Sequence, residues 1–470
     1  MSVLDEIVAR KRLDVAKREL AVPYDVLRER AVPTSKRFGE ALKKENAPCF
    51  IMECKKASPS KGLIRENFDI DEIAGVYGKF ADAVSVLTDE PYFGGSLDIL
   101  SAFRERLEQP ILAKDFVTCP YQVCEARRFG ADAVLLMLSV LDDQTYTACA
   151  VEAKRLSMDC LTEAHSLEEL ERALSLDANI IGINNRDLKT LKVDLGVFAR
   201  LAEKIAAASS DKERIVVCES GIESREDVLR FRGYADAFLV GGSLMRENRL
   251  DLAVRRLLFG SVKVCGLTSP EDAFACYGLG ASFGGVIFAP QSPRHVDEAR
   301  AKEICAASPL PMVGVFVNDE IQRISHAALL LSLAAVQLHG EESESFIAEL
   351  RKELSPECEI WKALRVRDAL PDIESSRADR VLLDTFGESA RGGLGKSFDW
   401  SLVESIDLSA RQKIIIAGGI DMDNAPRAAR LGCFAIDVNS GVEVSGEAGK
   451  KDRKKQARLF QNLKNGGNEE

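Results

Sequence analysis

The sequence predicts an α/β protein built of two consecutive (β/α)8 barrels, the first of which carries an N-terminal helical extension. Short apolar, β-branched runs alternate with longer helical patterns along the chain, which is typical of βα units around a parallel sheet. These runs fall into two successive sets of eight. The chain has 470 residues, and because one such barrel takes ~250 residues, its length accommodates two.

Eight candidate strands occupy each half of the chain. In the first half their predicted ends are Glu53, Leu87, Lys114, Leu138, Glu163, Asn184, Glu219 and Val240. A second series begins at Ser261, and its predicted ends are Cys265, Phe288, Val317, Leu338, Ala363, Asp384, Ala417 and Asp437. The intervals between strands leave room for a helix and a return, so each set can close a barrel of its own.

The predicted domains are residues 1–258 and 259–470, and residues 1–48 form the helical extension of the first. Residues 250–259 have the pattern of a last barrel helix, and only Gly260 and Ser261 precede the next strand. Apolar positions in the extension are Leu4, Ile7, Val8, Leu13 and Val15, with Arg10, Lys11 and Arg12 between them. The extension could pack on the barrel or act as a lid over its mouth, and the spacing does not choose between the two.

Composition excludes several classes of protein. The net charge is −11, from 63 basic and 74 acidic residues, whereas nucleic-acid-binding domains are usually basic. The longest nearly apolar run, 327–336, is ten residues long, about half of what a membrane-spanning helix needs. The first residues lack the basic and apolar regions of a secretory signal. We therefore expect neither nucleic-acid nor membrane partners.

Cysteine and histidine usage points away from metal and disulfide chemistry. The twelve cysteines include no C-x-x-C pair, and the four histidines have no paired ligand spacing. Scattered thiols fit a reducing compartment. The expectation is a cytoplasmic protein without metal or cofactor, and two self-contained barrels could suffice as a monomer.

Two glycine-rich turns recur at matching places in the two halves. After the predicted seventh and eighth strands, the first half has Glu219-Ser220-Gly221 and Gly241-Gly242-Ser243, and the second has Gly418-Gly419 and Ser440-Gly441. Glycine lets backbone N–H groups approach an anion closely, and this region of a barrel commonly holds phosphate. Such glycines could merely form tight turns, but their occurrence in both halves favours two phosphate sites.

Charged side chains collect at the predicted strand ends of the first half. They are Glu53, Lys55, Lys114, Glu163, Arg186 and Glu219, accompanied by the neutral Asn184, and catalytic residues of barrel enzymes lie at these ends. A lysine with a lowered pKa can serve as a general acid, and a carboxyl with a raised pKa can exchange protons. A salt-bridge network is the alternative for any single residue, but a ring around one mouth favours catalysis. The basic loop 55–62 could grip an anion or remain a solvated loop.

The second half has fewer such residues. Cys265 and Asp384 end its first and sixth predicted strands, and a thiolate base with a carboxylic acid would suit proton transfer at carbon. Arg294 could bind a carboxylate through a bidentate fork. His339 directly follows the fourth strand. A histidine there more often orients another group or fills space than takes part in catalysis.

At these residues the first half resembles indole-3-glycerol-phosphate synthase. The matching segments are Glu53-Cys54-Lys55-Lys56-Ala57-Ser58-Pro59-Ser60-Lys61-Gly62, Leu112-Ala113-Lys114-Asp115-Phe116, Gly182-Ile183-Asn184-Asn185-Arg186-Asp187-Leu188 and Glu219-Ser220-Gly221-Ile222. The resemblance implies that the enzyme closes an indole ring with loss of carbon dioxide and water. It implies Lys114 as the general acid and Glu163 as the proton-transferring carboxylate. Glu53, Lys55, Asn184 and Ser220 would complete the catalytic set, and the substrate-binding residues would be Ser58, Phe116, Arg186, Glu219, Gly221, Gly242 and Ser243, with Lys55 also an anchor.

The second half resembles phosphoribosylanthranilate isomerase. The matches are Lys263-Val264-Cys265-Gly266-Leu267-Thr268, Ser292-Pro293-Arg294, Gln337-Leu338-His339-Gly340 and Asp437-Val438-Asn439-Ser440-Gly441-Val442-Glu443. The resemblance implies an Amadori rearrangement of N-(5-phosphoribosyl)anthranilate, with Asp384 as the acid that opens the ribose ring and Cys265 as the base. The implied substrate-binding residues are Arg294, His339, Gly393, Gly395, Gly418, Gly419, Asp437, Ser440 and Gly441. The fused order resembles the bifunctional bacterial enzymes of tryptophan biosynthesis, whose substrates are small anionic phosphosugar–anthranilates.

Other readings stay open. One barrel could be active and the other structural or phosphosugar-binding, or the chain could be a sensor without catalysis; the presence of Lys114, Glu163, Cys265 and Asp384 argues against both. A broad-specificity isomerase would pair two aspartates where this chain has Cys265 and Asp384. Leu394 replaces a common threonine of the isomerase phosphate loop, which could weaken phosphate binding modestly. The basic run 450–455 is expected to be a solvated helix start, or a support near the second phosphate site.

Overall fold

A computed structural model of the chain describes residues 2–44, 47–187, 190–208, 213–385 and 397–467. It divides into two units, Met1–Val254 and Arg255–Glu470. Each unit contains a closed barrel of eight parallel strands, as the sequence predicts. Two residues, Gly260 and Ser261, separate the end of helix α13 (Leu250–Phe259) from Val262, where the first strand of the second barrel begins.

The first barrel closes where its first strand pairs with its last, with Cys49 opposite Ala237. A two-stranded antiparallel hairpin, β2 and β3, stands in the loop after its first strand, where the sequence suggests only an irregular loop. In chain order the strands are β1 Cys49–Cys54, β2 Ala57–Ser58, β3 Gly62–Leu63, β4 Ala83–Leu87, β5 Ile111–Lys114, β6 Ala133–Met137, β7 Asp159–Ala164, β8 Ile180–Asn184, β9 Ile215–Glu219 and β10 Ala237–Val240.

The second barrel closes in the same way, with Lys263 opposite Asp437. Its strands are β11 Val262–Val264, β12 Phe283–Ile287, β13 Met312–Phe316, β14 Ala335–Leu338, β15 Glu359–Val366, β16 Arg380–Thr385, β17 Ile414–Ile416 and β18 Ala435–Val438. Observed strand ends lie within one residue of the predicted ones except for β15, which runs three residues past Ala363. The reason is its pairing with β16, which continues to Val366 opposite Thr385.

Helices alternate with these strands. In the first unit they are α1 Val3–Ala21, α2 Tyr24–Arg30, α3 Phe38–Ala41, α4 Ile70–Phe80, α5 Glu90–Phe93, α6 Leu97–Arg104, α7 Pro120–Arg128, α8 Asp143–Arg155, α9 Leu167–Ser175, α10 Gly196–Ala208, α11 Arg225–Phe231 and α12 Gly242–Met245. After α13 come α14 Pro270–Leu279, α15 Glu298–Ala306, α16 Ile321–Leu330, α17 Glu344–Glu353, α18 Ser401–Glu404, α19 Leu408–Arg411, α20 Ala425–Arg430 and α21 Arg453–Asn465.

The N-terminal extension covers both ends of the first barrel. At the amino-terminal end, Gly39 of α3 donates its backbone N–H to Asp159 at the start of β7. At the other end, Leu4 and Ile7 of α1 join the buried interior cluster. The extension therefore packs on the barrel, α3 at its amino-terminal end and α1 at the opposite end. Leu13, predicted to be an apolar packing position, is 63% exposed, because the buried face of α1 carries positions 4, 7, 11 and 15.

The interior of the second barrel contains large aromatic residues. Trp361 is 1% exposed and meets Phe283 edge to face, with ring centroids 5.4 Å apart. Such pairs add roughly 0.5–1.5 kcal/mol beyond their area burial. Among the described residues, no helix is long and apolar enough to cross a membrane. The same residues contain no group of three or more His, Cys, Asp or Glu placed to hold a metal ion.

Candidate active sites

A cavity of about 610 Å³ opens at the carboxyl ends of the first-barrel strands. Its walls combine strand ends, the turns that follow them and the start of α1. Every residue that the sequence assigns to this site lines the cavity, namely Glu53, Lys55, Ser58, Lys114, Phe116, Glu163, Asn184, Arg186, Glu219, Ser220, Gly221, Gly242 and Ser243. The predicted ring of charged residues is thus a single site.

Lys114 lies at the centre of the charged groups. Its Nζ is 3.4 Å from Oε2 of Glu163 and forms a short ion pair with Glu219. Burial disfavours the ammonium, but Glu219, Glu163 and Glu53 more than offset it, so the pKa of Lys114 is raised. The sequence-based expectation of a lysine with a lowered pKa is therefore wrong in direction, because it did not count the surrounding carboxylates. Lys114 is a charged proton donor at rest.

Glu219 is a carboxyl group of this cavity whose pKa is raised. Burial raises its pKa to about 7, the neighbouring Glu163 and Glu53 add to the shift, and Lys114 opposes it. Its Oε1 has no hydrogen-bond partner among the described residues. That oxygen occupies the space where a Cβ on Gly182 would lie, so the glycine of β8 makes room for the carboxylate.

Glu53 and Lys55 form a second ion pair in the cavity. Lys55 Nζ lies 2.5 Å from Glu53 Oε1, and Glu53 is 2% exposed. Burial opposes ionisation of Glu53, but Lys55 and Lys114 outweigh it and lower its pKa. A Cβ on Gly241 would lie 2.7 Å from the same Oε1. Two glycines, one on β8 and one directly after β10, thus accommodate the two buried carboxylates.

Asn185 is a residue that sequence reasoning missed. It is fully buried, its Nδ2 donates to the backbone oxygens of Glu219 and Ser220 at 3.1 Å each, and its Oδ1 accepts from Phe198 N. Ser220 takes the left-handed conformation, at φ 63°, which is uncommon without glycine. The available signal in the sequence was the second asparagine of the Asn184-Asn185 pair, directly after the predicted end of a strand. Its bonds fix the turn that precedes the first phosphate candidate.

The start of α1 belongs to the same site. Val3, Leu4 and Ile7 line the cavity. One turn further along the same face, Lys11 is buried and forms ion pairs of 2.7 Å with both Asp89 and Asp115. The sequence showed Lys11 only as part of a basic cluster, and its position on the apolar face was the available signal.

The second barrel brings its predicted acid and a histidine together. Oδ2 of Asp384 lies 3.3 Å from Nε2 of His339, and His339 Nδ1 lies 3.0 Å from Gln337 Nε2. Cys265 follows β11 and is 4% exposed. Burial raises the pKa of its thiol and Asp437 adds to this, whereas Lys263 counteracts it. Lys263, fully buried at the barrel interior, is another residue that sequence reasoning missed.

Arg294 is held by a carboxylate of its own chain. Its Nε and Nη2 donate to the two oxygens of Glu443 at 2.8 and 2.7 Å, and Glu443 also accepts from Lys451 Nζ at 3.0 Å. The fork predicted to bind substrate is therefore already engaged. Lys451 is 4% exposed, so the expectation that the basic run 450–455 is solvated is wrong at this residue, because Glu443 and Asn439 bind it.

The predicted phosphate turns of the second barrel have backbones that suit glycine. Gly418 and Gly419 have φ values of 81° and 63°. A Cβ on Gly441 would collide with the carbonyl oxygen of Ile420, so Gly441 packs directly on the preceding turn. The predicted loop residues Gly393 and Gly395, and Leu394 between them, lie outside the described residues.

Comparison with known proteins covers both barrels. Residues 4–257 match the family model of indole-3-glycerol phosphate synthase, and residues 262–462 match that of N-(5'-phosphoribosyl)anthranilate isomerase. A solved phosphoribosylanthranilate isomerase from Thermus thermophilus is 30% identical, with a TM-score of 0.39, and covers 43% of this chain and 98% of its own.

Full-length relatives join the same two parts. The tryptophan biosynthesis protein TrpCF of Yersinia pestis is 46% identical over 98% of this chain and 94% of its own length. Those of Vibrio cholerae and Haemophilus influenzae are 45% and 44% identical, each over 98% of this chain, and over 96% and 97% of their own. The chain therefore belongs to the family of bifunctional tryptophan-biosynthesis enzymes, in which an indole-3-glycerol phosphate synthase is followed by a phosphoribosylanthranilate isomerase.

Proposed function

We propose that the second barrel isomerises N-(5'-phosphoribosyl)anthranilate through Cys265 and Asp384, and that the first barrel converts the product to indole-3-glycerol phosphate through Lys114 and Glu163. The observation that carries this proposal is the position of Lys114, a charged donor held between two carboxylates in a cavity of substrate size. Cavities of about 300–1,000 Å³ are typical of small-molecule sites.

In the synthase, Lys114 gives a proton to the substrate carbonyl oxygen as the aromatic carbon attacks. Carbon dioxide leaves the ring carbon, and water leaves from the protonated oxygen. Glu163 accepts and returns protons during these steps, which suits its 3.4 Å distance from Lys114 Nζ. Glu53, Lys55, Asn184 and Ser220 support catalysis, and the substrate is bound by Ser58, Phe116, Arg186, Glu219, Gly221, Gly242 and Ser243.

In the isomerase, Asp384 protonates the ribose ring oxygen and the ring opens to an imine. Cys265 then removes the proton from the adjacent carbon, and the resulting enaminol becomes the keto sugar. A positioned acid or base contributes roughly 10²–10⁴ in rate. His339 orients Asp384, Arg294 holds the anthranilate carboxylate, and the remaining binding residues are Asp437, Gly393, Gly395, Gly418, Gly419, Ser440 and Gly441.

The domains meet at residues 258 and 259 in this proposal. Support comes from the family-model matches, which end at 257 and begin again at 262. In this proposal the protein acts as a monomer, and neither barrel needs a strand from another copy to close. It works in the cytoplasm, and the twelve free cysteines fit a reducing compartment.

The test is to give the purified chain phosphoribosylanthranilate and to follow anthranilate-type fluorescence and indole absorbance. The intact chain is expected to form indole-3-glycerol phosphate. Cys265→Ala should stop before the ribulosamine, and Lys114→Ala should accumulate it. Cys305→Ala in α15 and Lys17→Ala in α1, both outside the proposed sites, are the matched controls.

The same assay separates the alternatives. If the intact chain consumes substrate without making indole, the proposed synthase residues are wrong. If it makes indole only from added ribulosamine, the proposed isomerase residues are wrong, and a single active barrel is the result.

A further inference from the structure

A charged lysine lies in the interior of the second barrel. Lys263 is fully buried, in β11. Cys265 directly follows β11 and continues its pairing, since its N–H donates to Val438 O at 2.8 Å. Side chains two residues apart in such an extended segment point to the same side of the sheet, so Lys263 and Cys265 both face the barrel interior. An unpaired charge in such a place would cost several kcal/mol, and its partners therefore determine what it can do.

Two of the three ammonium protons have acceptors on other strands. Lys263 Nζ lies 2.8 Å from Oδ2 of Asp437 in β18 and 2.9 Å from Oε1 of Gln337 in β14. An ammonium has three donors, so one N–H remains beyond these two bonds. Burial lowers the pKa of Lys263, but Asp437 and the neighbouring Cys265 outweigh it and raise that pKa. A Cβ on Gly285 would lie 2.9 Å from Cys265 Sγ and 3.0 Å from Lys263 Cε, so both side chains pack over the same point of β12.

Stability alone does not explain this arrangement. Replacing a buried ion pair with apolar residues of similar size is often neutral or stabilising. The barrel interior already holds large apolar side chains such as Trp361 and Phe283. A lysine fixed by two acceptors and packed beside one sulfur is suited to act on that sulfur.

We propose that Lys263 is a positioning residue of the isomerase, which holds its ammonium against Cys265 and stabilises the thiolate of that residue during proton transfer. Asp437 and Gln337 keep the ammonium in place. The inference rests on the proposed role of Cys265 as the base, and it adds the group that lets a buried thiol ionise.

The other charged groups that face Cys265 do not replace Lys263. Lys451 and Arg294 are both cationic neighbours, but both are bound to Glu443. Asp437 is the anionic neighbour and raises the pKa of the thiol, as burial does. Lys263 is the largest influence that favours the thiolate.

The test titrates Cys265 by thiolate ultraviolet absorbance in the full chain. Subtracting the same variant with Cys265→Ala isolates this thiol from the other cysteines. The variants are Lys263→Met and Lys263→Gln, which remove the charge, and Lys263→Arg, which keeps it. Lys362→Met is the matched control, because Lys362 is also a buried lysine of this barrel, paired with Glu342 at 2.7 Å. Fluorescence of the two buried tryptophans, Trp361 and Trp400, reports the fold of this barrel.

Both neutral variants are expected to move the Cys265 titration to higher pH, and Lys263→Arg and Lys362→Met to leave it near that of the wild type. Isomerase kcat/KM at neutral pH should fall about tenfold or more in the neutral variants, mainly through kcat. Synthase turnover of added ribulosamine should not change, since Lys263 lies in the second barrel.

A Cys265 titration that is unchanged in a folded neutral variant would overturn the inference, even if activity is lost. Lys263→Gln keeps a side chain that can donate a hydrogen bond to Asp437. Its Cys265 titration therefore decides the question if Lys263→Met does not fold. Retention of isomerase activity by Cys265→Ala would instead contradict the proposed function, and the titration would still decide whether Lys263 governs the thiol.

Discussion

The ammonium of Lys11 lies 2.7 Å from Oδ1 of Asp115, the residue that follows Lys114. The same ammonium lies 2.7 Å from Asp89, so one lysine of α1 bridges the loops after β4 and β5. Burial opposes its charge, but the two carboxylates more than offset this and raise the pKa of Lys11. The helical extension is thus fixed beside the proposed synthase acid.

Lys11→Met is expected to destabilise the first barrel, because it leaves two carboxylates without their cation. Removing one partner of a buried ion pair costs about 3–5 kcal/mol. The synthase KM should rise as α1 loosens, and the isomerase should be unaffected. Lys17→Met is the control, since Lys17 is 71% exposed. Both tryptophans lie in the second unit, so first-barrel unfolding should appear in circular dichroism before tryptophan fluorescence changes. Equal stability of the two variants would contradict this expectation.

Gly182→Ala is expected to lower synthase kcat while the isomerase keeps its rate. The new Cβ would occupy the position of Glu219 Oε1, so the carboxylate must leave its contact with Lys114. Gly75→Ala is the control, because Gly75 lies in α4 with open space around it and the change should stabilise that helix by about 0.5–1 kcal/mol. Steady-state kinetics with ribulosamine provides the measurement, and an unchanged kcat would show that the Glu219 contact with Lys114 is dispensable.

Glu219→Gln should change how first-barrel stability depends on pH. The pKa of Glu219 in the fold is about 7, above the ordinary value. Its contribution to the free energy of unfolding is therefore fully present at low pH and is lost as pH rises through about 7. The glutamine amide of the variant does not ionise, so the variant has no such loss of stability. The stability of Glu219→Gln relative to the wild type should therefore increase between about pH 4.5 and about pH 7, by at most about 1.4 kcal/mol per pH unit. Hydrogen exchange of first-barrel peptides at several pH values would measure it, and a constant difference would refute it.

Arg294→Lys is expected to raise the isomerase KM by roughly tenfold or more, because lysine cannot reproduce a bidentate fork. The variant also loses one of the two bonds to Glu443. Arg300→Lys is the control, since Arg300 is 43% exposed on α15. Initial rates of phosphoribosylanthranilate consumption would give both KM values. Similar KM values for the two variants would mean that Arg294 serves only to hold Glu443.

The fold and the first site could be predicted because their signals are local in sequence. Strand ends follow from apolar runs and the turns after them, and residues at the carboxyl ends of parallel strands meet at one mouth. Lys114, Glu163 and Glu219 illustrate this, since each ends or nearly ends a strand and all three meet in the cavity.

Long-range partners explain what the sequence did not predict. The burial of Lys11 depends on Asp89 and Asp115, and that of Lys451 on Glu443. Pairing with β16 extends β15 beyond its predicted end. The direction of the Lys114 pKa depends on how many carboxylates surround it, which no single segment reveals.

The closure of the first barrel has a consequence for the order of events during synthesis. Cys49 must pair with Ala237, and Arg18 of α1 binds Glu125, 107 residues further along the chain. Chains emerge from the ribosome amino terminus first, so α1 and β1 wait for partners that do not yet exist. Contacts of such separation slow folding. The synthase cavity, whose wall includes Val240, can form only after half of the chain has been translated. Until then the apolar strands of the nascent chain are exposed and must avoid contact with other chains.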